Sequence, residues 1–426
     1  MSEGLAARAA AQTILSDVLR KRRPLDVALE SIPNLPPRDA GFVRAIAGET
    51  LRRFGQIEAL IRHFVPKTPP PHKSGPTLEI LFAGACELLF LDVPAHAAVD
   101  AANKLAQADA KAVHFKALIN AVLRRVSREG KDVLAAQDAA RLNTPDWLWL
   151  RWCESFGADG ARAIADAHGR RPPVDIVLKT PESVAPDGRP LFGHVVRLAD
   201  VSGIDALPGF AQGDWWVQDA AATLPAGLLG EVRGRRVIDL CAAPGGKTMQ
   251  LAAMGAVVTA VEREAPRLAR MRENLARTRL DATLVQCDVR DYRPEVAAPF
   301  VLLDAPCTAT GTIRRHPELP WIKSASDVTL CEQAASELLD AAAGMVAPGG
   351  TLVFAVCSLE PEEGVGQAES FLVRDPRFTR APVTPDDVFG RTELISGEGD
   401  LRTLPSHLAG DGGMDGFYAA RFKRNS

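Results

Sequence analysis

The chain has 426 residues, which is too long for one ordinary hydrophobic core and predicts two or three domains. It is 46% hydrophobic and 24% charged, as globular proteins are, and no apolar run approaches the roughly 20 residues that cross a bilayer. The N-terminal stretch lacks a basic start followed by an apolar run and a cleavage site, which argues against a secretory signal. A cytoplasmic protein without membrane contact is expected.

The charge is divided unevenly along the chain. Residues 1–145 carry a net charge of +5 and residues 146–426 carry −8. The overall charge of −3 is therefore the sum of a basic N-terminal part and an acidic C-terminal part. A basic N-terminal part permits RNA binding, although it does not by itself establish it.

The seven cysteines are odd in number, widely scattered and without a CxxC pair. This pattern argues against a zinc site, and we expect no bound metal. In a reducing compartment the cysteines are expected to be free thiols.

In the first 130 residues apolar side chains recur with a period near 3.6, which predicts helices. Breaks are expected at the proline-rich stretches 33–37 and 66–76. Residues 1–130 are therefore predicted to form an all-helical domain. The helical stretches are Leu5–Arg20, Arg38–Phe54, Leu78–Leu91, Ala97–Ala108 and Phe115–Glu129.

Residues 131–210 are predicted to hold a linker and a small α+β RNA-recognition subdomain, with a strand over Val174–Leu178. From about residue 200 buried-strand runs alternate with helices, which predicts a doubly wound α/β sheet and a catalytic domain over 211–426. The expected strands are Val237–Leu240, Val257–Val261, Thr283–Gln286, Phe300–Leu303 and Thr351–Val356, and the expected helices are Lys247–Ala253, Pro266–Thr278 and Asp327–Met345.

A glycine turn joins the first of these strands to the first helix, over Asp239–Thr248. Gly245 and Gly246 let a ligand approach the backbone, and the helix start offers free N–H groups. A Walker loop needs a further glycine where this chain has Cys241, so a nucleoside triphosphatase is disfavoured. The glycine spacing of dinucleotide-binding folds is also missing.

Acidic residues stand at the ends of the next three strands: Glu262, Asp288 and Asp304. Ligands of such sheets bind at the carboxyl ends of the strands. Glu262 could bind ribose hydroxyls, Asp288 the adenine amino group, and Asp304 could lie near a sulfonium. Three acids around one pocket would repel a pyrophosphate and suit S-adenosylmethionine, which carries a positive centre.

Cys307 and Cys357 follow the fourth and fifth strands, over the same expected cleft. A thiolate suits methylation of cytosine, because attack at carbon 6 places electron density on carbon 5, which is otherwise a poor nucleophile. The thiol must ionise, and an acid near ring nitrogen 3 would stabilise the adduct. Asp304 is the candidate for that acid.

These residues resemble the RsmB/Nop2/Sun RNA cytosine-5 methyltransferases. The resemblance is carried by the motifs DLCAAPGGKT (Asp239–Thr248), LLDAPCTATGTIRRHPELPW (Leu302–Trp321) and VCSLEPEEG (Val356–Gly364), together with WVQD (Trp216–Asp219) and DGFYAARF (Asp415–Phe422). The helical front looks like the NusB-like RNA-binding domain of the bacterial RsmB branch, through PAHAAV (Pro94–Val99) and LINAVLR (Leu118–Arg124). The resemblance implies an all-α NusB-like domain followed by a Rossmann-like methyltransferase domain.

The resemblance also implies roles. Cys357 would be the nucleophile, Cys307 would aid elimination and product release, and Lys247 would orient the reacting groups. Cofactor contacts would come from Cys241, Ala242, Ala243, Pro244, Gly245, Gly246, Lys247, Glu262, Asp288 and Asp304. The substrate would be a cytosine of ribosomal RNA, in the small subunit.

This chain departs from the family pattern at two positions. Val356 stands where the family usually has Thr, and Glu262 where it often has Asp, and neither change removes a catalytic group. The run Arg314–Pro317 would face RNA phosphate near the flipped base.

Two other functions stay open. A catalytically inactive RNA-binding, antitermination or ribosome-assembly factor would not need both thiols. A DNA cytosine-5 methyltransferase would use Cys307 as its nucleophile. The sequence leaves the oligomeric state undetermined, and a monomer is compatible with it.

Overall fold

A computed structural model describes residues 4–32, 35–199 and 203–426. The chain forms two compact units, which we call the helical unit (Met1–Arg171 with Ile313–Ser324) and the sheet unit (Pro172–Thr312 with Ala325–Ser426). Residues 131–171 lie in the helical unit and residues 172–210 in the sheet unit, and an RNA-recognition role for 131–210 stays a prediction.

The helical unit confirms the predicted helices to within a few residues at most ends. The predicted helix 38–54 ends at Arg52, because Arg53 has φ −106° and ψ 14°, and a further helix begins at Phe54. Of the predicted break at 33–37, Pro33 and Asn34 lie outside the described residues. The helices are α1 (Leu5–Lys21), α2 (Leu25–Leu29), α3 (Pro37–Arg52), α4 (Phe54–Phe64), α5 (Pro71–Ser74), α6 (Thr77–Phe90), α7 (Ala95–Ala108), α8 (Lys116–Ala135), α9 (Ala139–Leu142) and α10 (Asp146–His168).

Helix α6 lies at the centre of the helical unit. It is apolar on nearly all sides and buried from Thr77 to Leu88 with few exceptions, because α3, α7 and α8 all pack against it. At Gly84 a Cβ would lie 2.8 Å from a methyl carbon of Leu123, so glycine permits the close approach of α6 and α8. Glu87, also buried on α6, is paired with Arg8 at 2.6 Å.

The segment 313–324 continues the Cys307 loop along the chain but packs within the helical unit. Trp321 donates its indole N–H to the carbonyl of Leu51 at 2.9 Å, and its ring meets Phe54 edge-on at 4.9 Å. Arg314 is fully buried and its carbonyl accepts from Arg52 at 2.8 Å. The expectation that Arg314 faces RNA phosphate is therefore wrong, since a side chain inside this unit cannot reach solvent.

The sheet unit confirms the predicted alternation of strands and helices. Its strands are β1 (Val174–Leu178), β2 (Gly188–Pro190), β3 (Val195–Leu198), β4 (Trp215–Val217), β5 (Arg236–Leu240), β6 (Val257–Glu262), β7 (Thr283–Gln286), β8 (Ala298–Asp304), β9 (Val346–Val356), β10 (Phe378–Arg380), β11 (Leu401–Thr403) and β12 (Phe417–Arg424). Its helices are α11 (Ala220–Gly227), α12 (Gly246–Ala253), α13 (Ala265–Thr278), α15 (Ala325–Met345) and α16 (Val365–Arg374), while α14 (Leu319–Ile322) lies in the helical unit.

The main sheet runs in the order β10-β12-β9-β8-β5-β6-β7, with β11 paired to β12. The five strands from β9 to β7 are parallel, so their carboxyl ends meet at one edge. Strand β12 pairs with β9 in the antiparallel sense, and the sequence pattern did not predict it as a strand. Apolar side chains cover both faces of the parallel strands, as expected of a doubly wound sheet.

A smaller antiparallel sheet has the order β2-β3-β1-β4 and contains the predicted strand Val174–Leu178. A buried ion pair joins two of its strands, with Arg197 Nε 2.7 Å from Asp175 Oδ1. Within the described residues, no helix is both long and apolar enough for a membrane span.

Candidate active site

The two predicted thiols meet at the carboxyl edge of the parallel sheet. Strands β8 and β9 are neighbours, with Asp304 opposite Ala355, so the loops that follow them begin side by side. Cys307 Sγ and Cys357 Sγ lie 3.5 Å apart. This distance brings both sulfur atoms within reach of a single small ligand.

The two thiols are not equivalent. The hydrogen bond to Cys357, together with burial, raises the pKa of Cys307 well above its usual value. The raised pKa favours the protonated form of Cys307, which makes this thiol a poor nucleophile. A thiolate is the nucleophilic form of cysteine, so the arrangement favours Cys357 for attack.

Lys247 and Asp304 form an ion pair beside the thiols. Lys247 begins the first turn of α12, Asp304 ends β8, and their Nζ and Oδ2 atoms are 2.7 Å apart. Burial opposes the charge of Lys247, but the charge and hydrogen bond of Asp304 more than offset it, and the pKa of Lys247 is raised. Cys357 also acts on Lys247 electrostatically, so a fixed ammonium stands next to the proposed nucleophile.

Phe417 is a neighbour of this pair that sequence reasoning did not select. Its ring centroid lies 5.1 Å from Lys247 Nζ, and the side chain is buried at the start of β12. Phe417 lies in the DGFYAARF motif, which was the sequence feature that could have pointed to it. Its contact with Lys247, however, depends on the pairing of β12 with β9.

The glycine turn has a backbone that few residues could adopt. Gly245 has φ 104°, and a Cβ there would lie 2.9 Å from a side-chain carbon of Met271. A Cβ at Gly246 would lie 3.2 Å from Gln218, and Cys241 has a positive φ of 58°. Met271 and Gln218 thus lie close against the two glycines, and a side chain at either position would meet them.

Neighbouring side chains hold the middle of the turn in place. Ala243 donates its N–H to Glu262 Oε2 at 3.3 Å, and Ala242 donates to the carbonyl of Val261 at 3.2 Å. The carbonyl of Pro244 accepts from Asn274 at 3.3 Å. The segment Cys241–Lys247 is therefore a rigid wall of the cleft.

The predicted acids differ in their surroundings. Glu262 is buried, and its other carboxylate oxygen accepts the N–H of Glu264 at 2.9 Å. Asp288 is bound by Arg290, at 2.8 Å between Nη2 and Oδ2. Glu262 and Asp304 both act electrostatically on Cys241, so these three lie together, whereas Asp288 turns toward Arg290.

The donor set fits S-adenosylmethionine. Oε1 of Glu262 accepts one backbone N–H and retains a lone pair that a ribose hydroxyl can use, while Oε2 accepts the N–H of Ala243 and lies 3.4 Å from Arg267 Nη1. Burial raises the pKa of Cys241 to about 12, so this thiol stays neutral in the cleft wall. The side chain of Asp304 is 31% exposed, which leaves its carboxylate open to a cationic ligand.

Val356 occupies a core position. It is fully buried among apolar side chains on the face of β9 opposite to Cys357. An apolar residue suits that surrounding, and the change from the usual Thr leaves the thiol in its place.

Solved structures share this fold over the whole chain or a large part of it. The structure titled PH0851 aligns with a TM-score of 0.77 at 22% identity and covers 100% of this chain and 99% of that one. NSun6 from Pyrococcus horikoshii, solved with SFG, aligns with a TM-score of 0.55 at 19% identity and covers 66% of this chain and 98% of that one. At these identities the likeness concerns the fold alone.

Sequence comparisons reach further. Residues 226–423 match the family described as 16S rRNA methyltransferase RsmB/F, and residues 5–128 match the NusB family. The chain is 34% identical to the ribosomal RNA small subunit methyltransferase B of Cronobacter sakazakii, with 100% of both chains covered. It is 35% identical to the protein of that name from Pseudomonas putida, with 97% of both covered. The predicted NusB-like and Rossmann-like methyltransferase domains are thereby confirmed, and the chain belongs to the RsmB/F family of 16S rRNA methyltransferases.

Proposed function

We propose that this chain methylates carbon 5 of a cytosine in small-subunit ribosomal RNA through a covalent adduct between Cys357 and carbon 6. The observation that carries the proposal is the thiol pair, with 3.5 Å between the sulfurs, beside the buried ammonium of Lys247. The pKa of Cys307 is raised by its contact with Cys357 and by burial, and Cys357 acts electrostatically on Lys247. The small-subunit substrate is supported by the names of the full-length relatives. RNA is the expected partner and the cytoplasm the expected compartment.

S-adenosylmethionine supplies the methyl group when bound. The turn Cys241–Lys247 would line its site, with Glu262 toward the ribose. Asp288 would lie at the adenine, once released from Arg290, and Asp304 would lie near the positive centre. Carboxylates at these strand ends favour a cation over a pyrophosphate, which supports this donor.

The covalent step begins at Cys357. Its thiolate forms a bond to carbon 6 of cytosine, and the ring electrons shift to a double bond between carbons 4 and 5 while nitrogen 3 takes a proton from water. Asp304 is the residue we assign to nitrogen 3, where its carboxylate accepts a hydrogen bond from the new N–H. Lys247 stabilises the thiolate before attack and holds Asp304 in position, at 2.7 Å.

Cys307 acts in the last step. A base, for which water suffices here, takes the proton on carbon 5; the double bond between carbons 5 and 6 forms again, and the bond between carbon 6 and sulfur breaks with its electron pair returning to Cys357. Because Cys307 lies 3.5 Å from Cys357 and its raised pKa favours the thiol form, it can donate a hydrogen bond to the departing sulfur. Removal of the Cys307 thiol is expected to slow this elimination, so that the covalent adduct accumulates.

The test uses small-subunit ribosomal RNA transcripts, a tritium-labelled methyl donor and three proteins: wild type, Cys357→Ala and Cys307→Ala. Wild type is expected to transfer label, Cys357→Ala to transfer none, and Cys307→Ala to accumulate a protein–RNA adduct that migrates as a shifted band. Bisulfite sequencing of the labelled RNA then locates the methylated cytosine.

Other outcomes point to other functions. An adduct from Cys357→Ala alone would make Cys307 the nucleophile, as in DNA cytosine-5 methyltransferases. Absence of transfer by wild type to naked RNA and to small-subunit particles would favour an RNA-binding assembly factor instead.

A further inference from the structure

Glu363 lies in the loop that follows β9, and its side chain is fully buried. Its Oε1 accepts the backbone N–H of Thr308 at 2.8 Å, and its Oε2 accepts the hydroxyl of Thr308 at 2.6 Å. Oε2 also accepts the hydroxyl of Ser358. Thr308 directly follows Cys307 and Ser358 directly follows Cys357, so one carboxylate binds the residue next to each thiol.

The partners of Glu363 suit an ionised carboxylate. All three donate hydrogen bonds, and a carboxylate accepts at both oxygens. Burial raises the pKa of Glu363, while the hydrogen bonds from Ser358 and Thr308 oppose that shift. Glu363 also acts electrostatically on Cys307, which favours the protonated form of that thiol.

Further contacts join the same two loops behind the sulfurs. Thr310 Oγ1 lies 3.2 Å from Ser358 Oγ and accepts the N–H of Leu359 at 3.0 Å. Gly311 donates its N–H to the carbonyl of Cys357 at 3.0 Å. Within this network, the carboxylate of Glu363 accepts hydrogen bonds from Thr308 in the Cys307 loop and from Ser358 in the Cys357 loop.

We propose that Glu363 is a positioning residue that holds Cys307 against Cys357 by bridging the loops that carry them. This inference rests on the proposed function, because the spacing matters for catalysis only if the two thiols act together. Without the carboxylate, the N–H of Thr308 and two hydroxyls lose their acceptor, and the loops separate to satisfy them. The thiols then lose their contact of 3.5 Å.

The experiment measures thiol spacing without RNA. Full-length protein is treated with the thiol oxidant diamide, and the rate of the Cys307–Cys357 crosslink is followed by peptide mass spectrometry. The bond requires the sulfurs to approach to about 2 Å, so its rate reports how often they meet. Glu363→Ala is expected to slow the crosslink at least tenfold, and Glu363→Gln, which keeps an acceptor for Thr308, to slow it less.

A matched control separates positioning from a loss of stability. Asp175 is another fully buried carboxylate of the sheet unit, and it pairs with Arg197 in the smaller sheet, at 2.7 Å between Oδ1 and Nε. Asp175→Asn is expected to lower the thermal midpoint while leaving the crosslink rate within twofold. If Glu363→Ala does not fold, two milder variants test the bridge. Ser358→Ala removes the side-chain contact to the Cys357 loop, and Thr308→Val removes one of the two contacts to the Cys307 loop, since the N–H of residue 308 remains. Both are expected to slow the crosslink, Thr308→Val the less.

Methylation gives a second readout. Glu363→Gln is expected to lower kcat at least tenfold while KM for RNA stays within twofold, since the RNA surface is unchanged. A crosslink rate equal to wild type in Glu363→Ala, or in both of the milder variants, would overturn the positioning role whatever the activity. If wild type methylates no RNA, the proposed function fails, and the crosslink still decides whether Glu363 sets the thiol spacing.

Discussion

Lys247 and Asp304 are joined by a hydrogen-bonded ion pair of 2.7 Å that links the start of helix α12 to the end of strand β8. Lys247 is buried, whereas the side chain of Asp304 is 31% exposed, so the carboxylate is the more open partner. The pair connects the glycine turn to the thiols, because Lys247 belongs to the turn and acts electrostatically on Cys357. The ion pair between Lys247 and Asp304 thus connects the proposed methyl-donor site at the glycine turn with the proposed nucleophile, Cys357.

Removal of the ammonium should disable the reaction. Lys247→Met keeps most of the side-chain volume but leaves both the carboxylate and the thiolate without a cation. We expect methyl transfer to fall roughly 100-fold or more, as when one preorganised donor is removed from an active site. The matched control is Lys179→Met, since Lys179 donates to the carbonyl of Thr278 at 2.7 Å and takes no part in the site. Equal activity of the two variants would contradict the role of Lys247.

Gly311 should tolerate no side chain. A Cβ there would lie 2.0 Å from the carbonyl oxygen of Gly416, and both backbones are tied by a hydrogen bond of 2.8 Å. Gly311→Ala is expected to shift the Cys307 loop and to lower both the thermal midpoint and the rate of methyl transfer. Gly344→Ala, in helix α15 with open space around its Cβ, should leave both unchanged or raise the midpoint slightly. A wild-type rate in Gly311→Ala would show that the loop adapts.

Trp321 should stabilise the helical unit. Trp321→Ala removes the edge contact with Phe54 and the hydrogen bond to Leu51, and we expect a loss of about 3 kcal/mol in the free energy of unfolding. Trp321→Phe keeps a ring and loses the bond, so its cost should be about 1 kcal/mol. Urea denaturation followed by circular dichroism measures both, and equal costs would mean that the ring contact contributes nothing.

Asp239 should make stability fall as the pH rises toward neutral. Burial raises the pKa of Asp239 from 3.8 to about 7, although Thr248 donates a hydrogen bond to one oxygen. The other oxygen has no hydrogen-bond partner among the described residues. The unfolded chain therefore loses this proton near pH 3.8 and the folded chain near pH 7, so stability is lost between these values, on the order of 1 kcal/mol per pH unit.

Asp239→Asn cannot ionise and should escape that loss. The difference in thermal midpoint, variant minus wild type, is expected to increase from pH 5 to pH 7 and then to level off. Thr248→Val, which keeps the carboxyl group but removes its donor, should raise the pKa of Asp239 further and extend the loss of stability to higher pH. Parallel midpoint curves for Asp239→Asn and wild type would rule out a buried carboxyl with a raised pKa.

Local pattern sufficed for much of the fold. Each parallel strand and the three helices α12, α13 and α15 could be predicted, because their apolar periods arise within a few residues of chain, whereas α11 and α16 were not predicted. The strand ends then placed Glu262, Asp304, Cys307 and Cys357 near one edge, since parallel strands bring their carboxyl ends together. Strand β12 escaped prediction because its antiparallel pairing with β9 depends on a partner some 60 residues away.

The sequence by itself determined which chemical groups meet: thiols, an ammonium and carboxylates at the ends of neighbouring strands. Only the tertiary structure decided how they differ. The proton on Cys307 depends on a sulfur 50 residues away, and the bridge from Glu363 depends on two loops meeting in the interior. Arg314 reads as a surface cation and is buried, because its segment packs against helices formed more than 250 residues earlier. These differences in protonation and exposure arise from burial and from contacts between residues far apart in the sequence. The periodicity of apolar residues along the chain does not report such contacts.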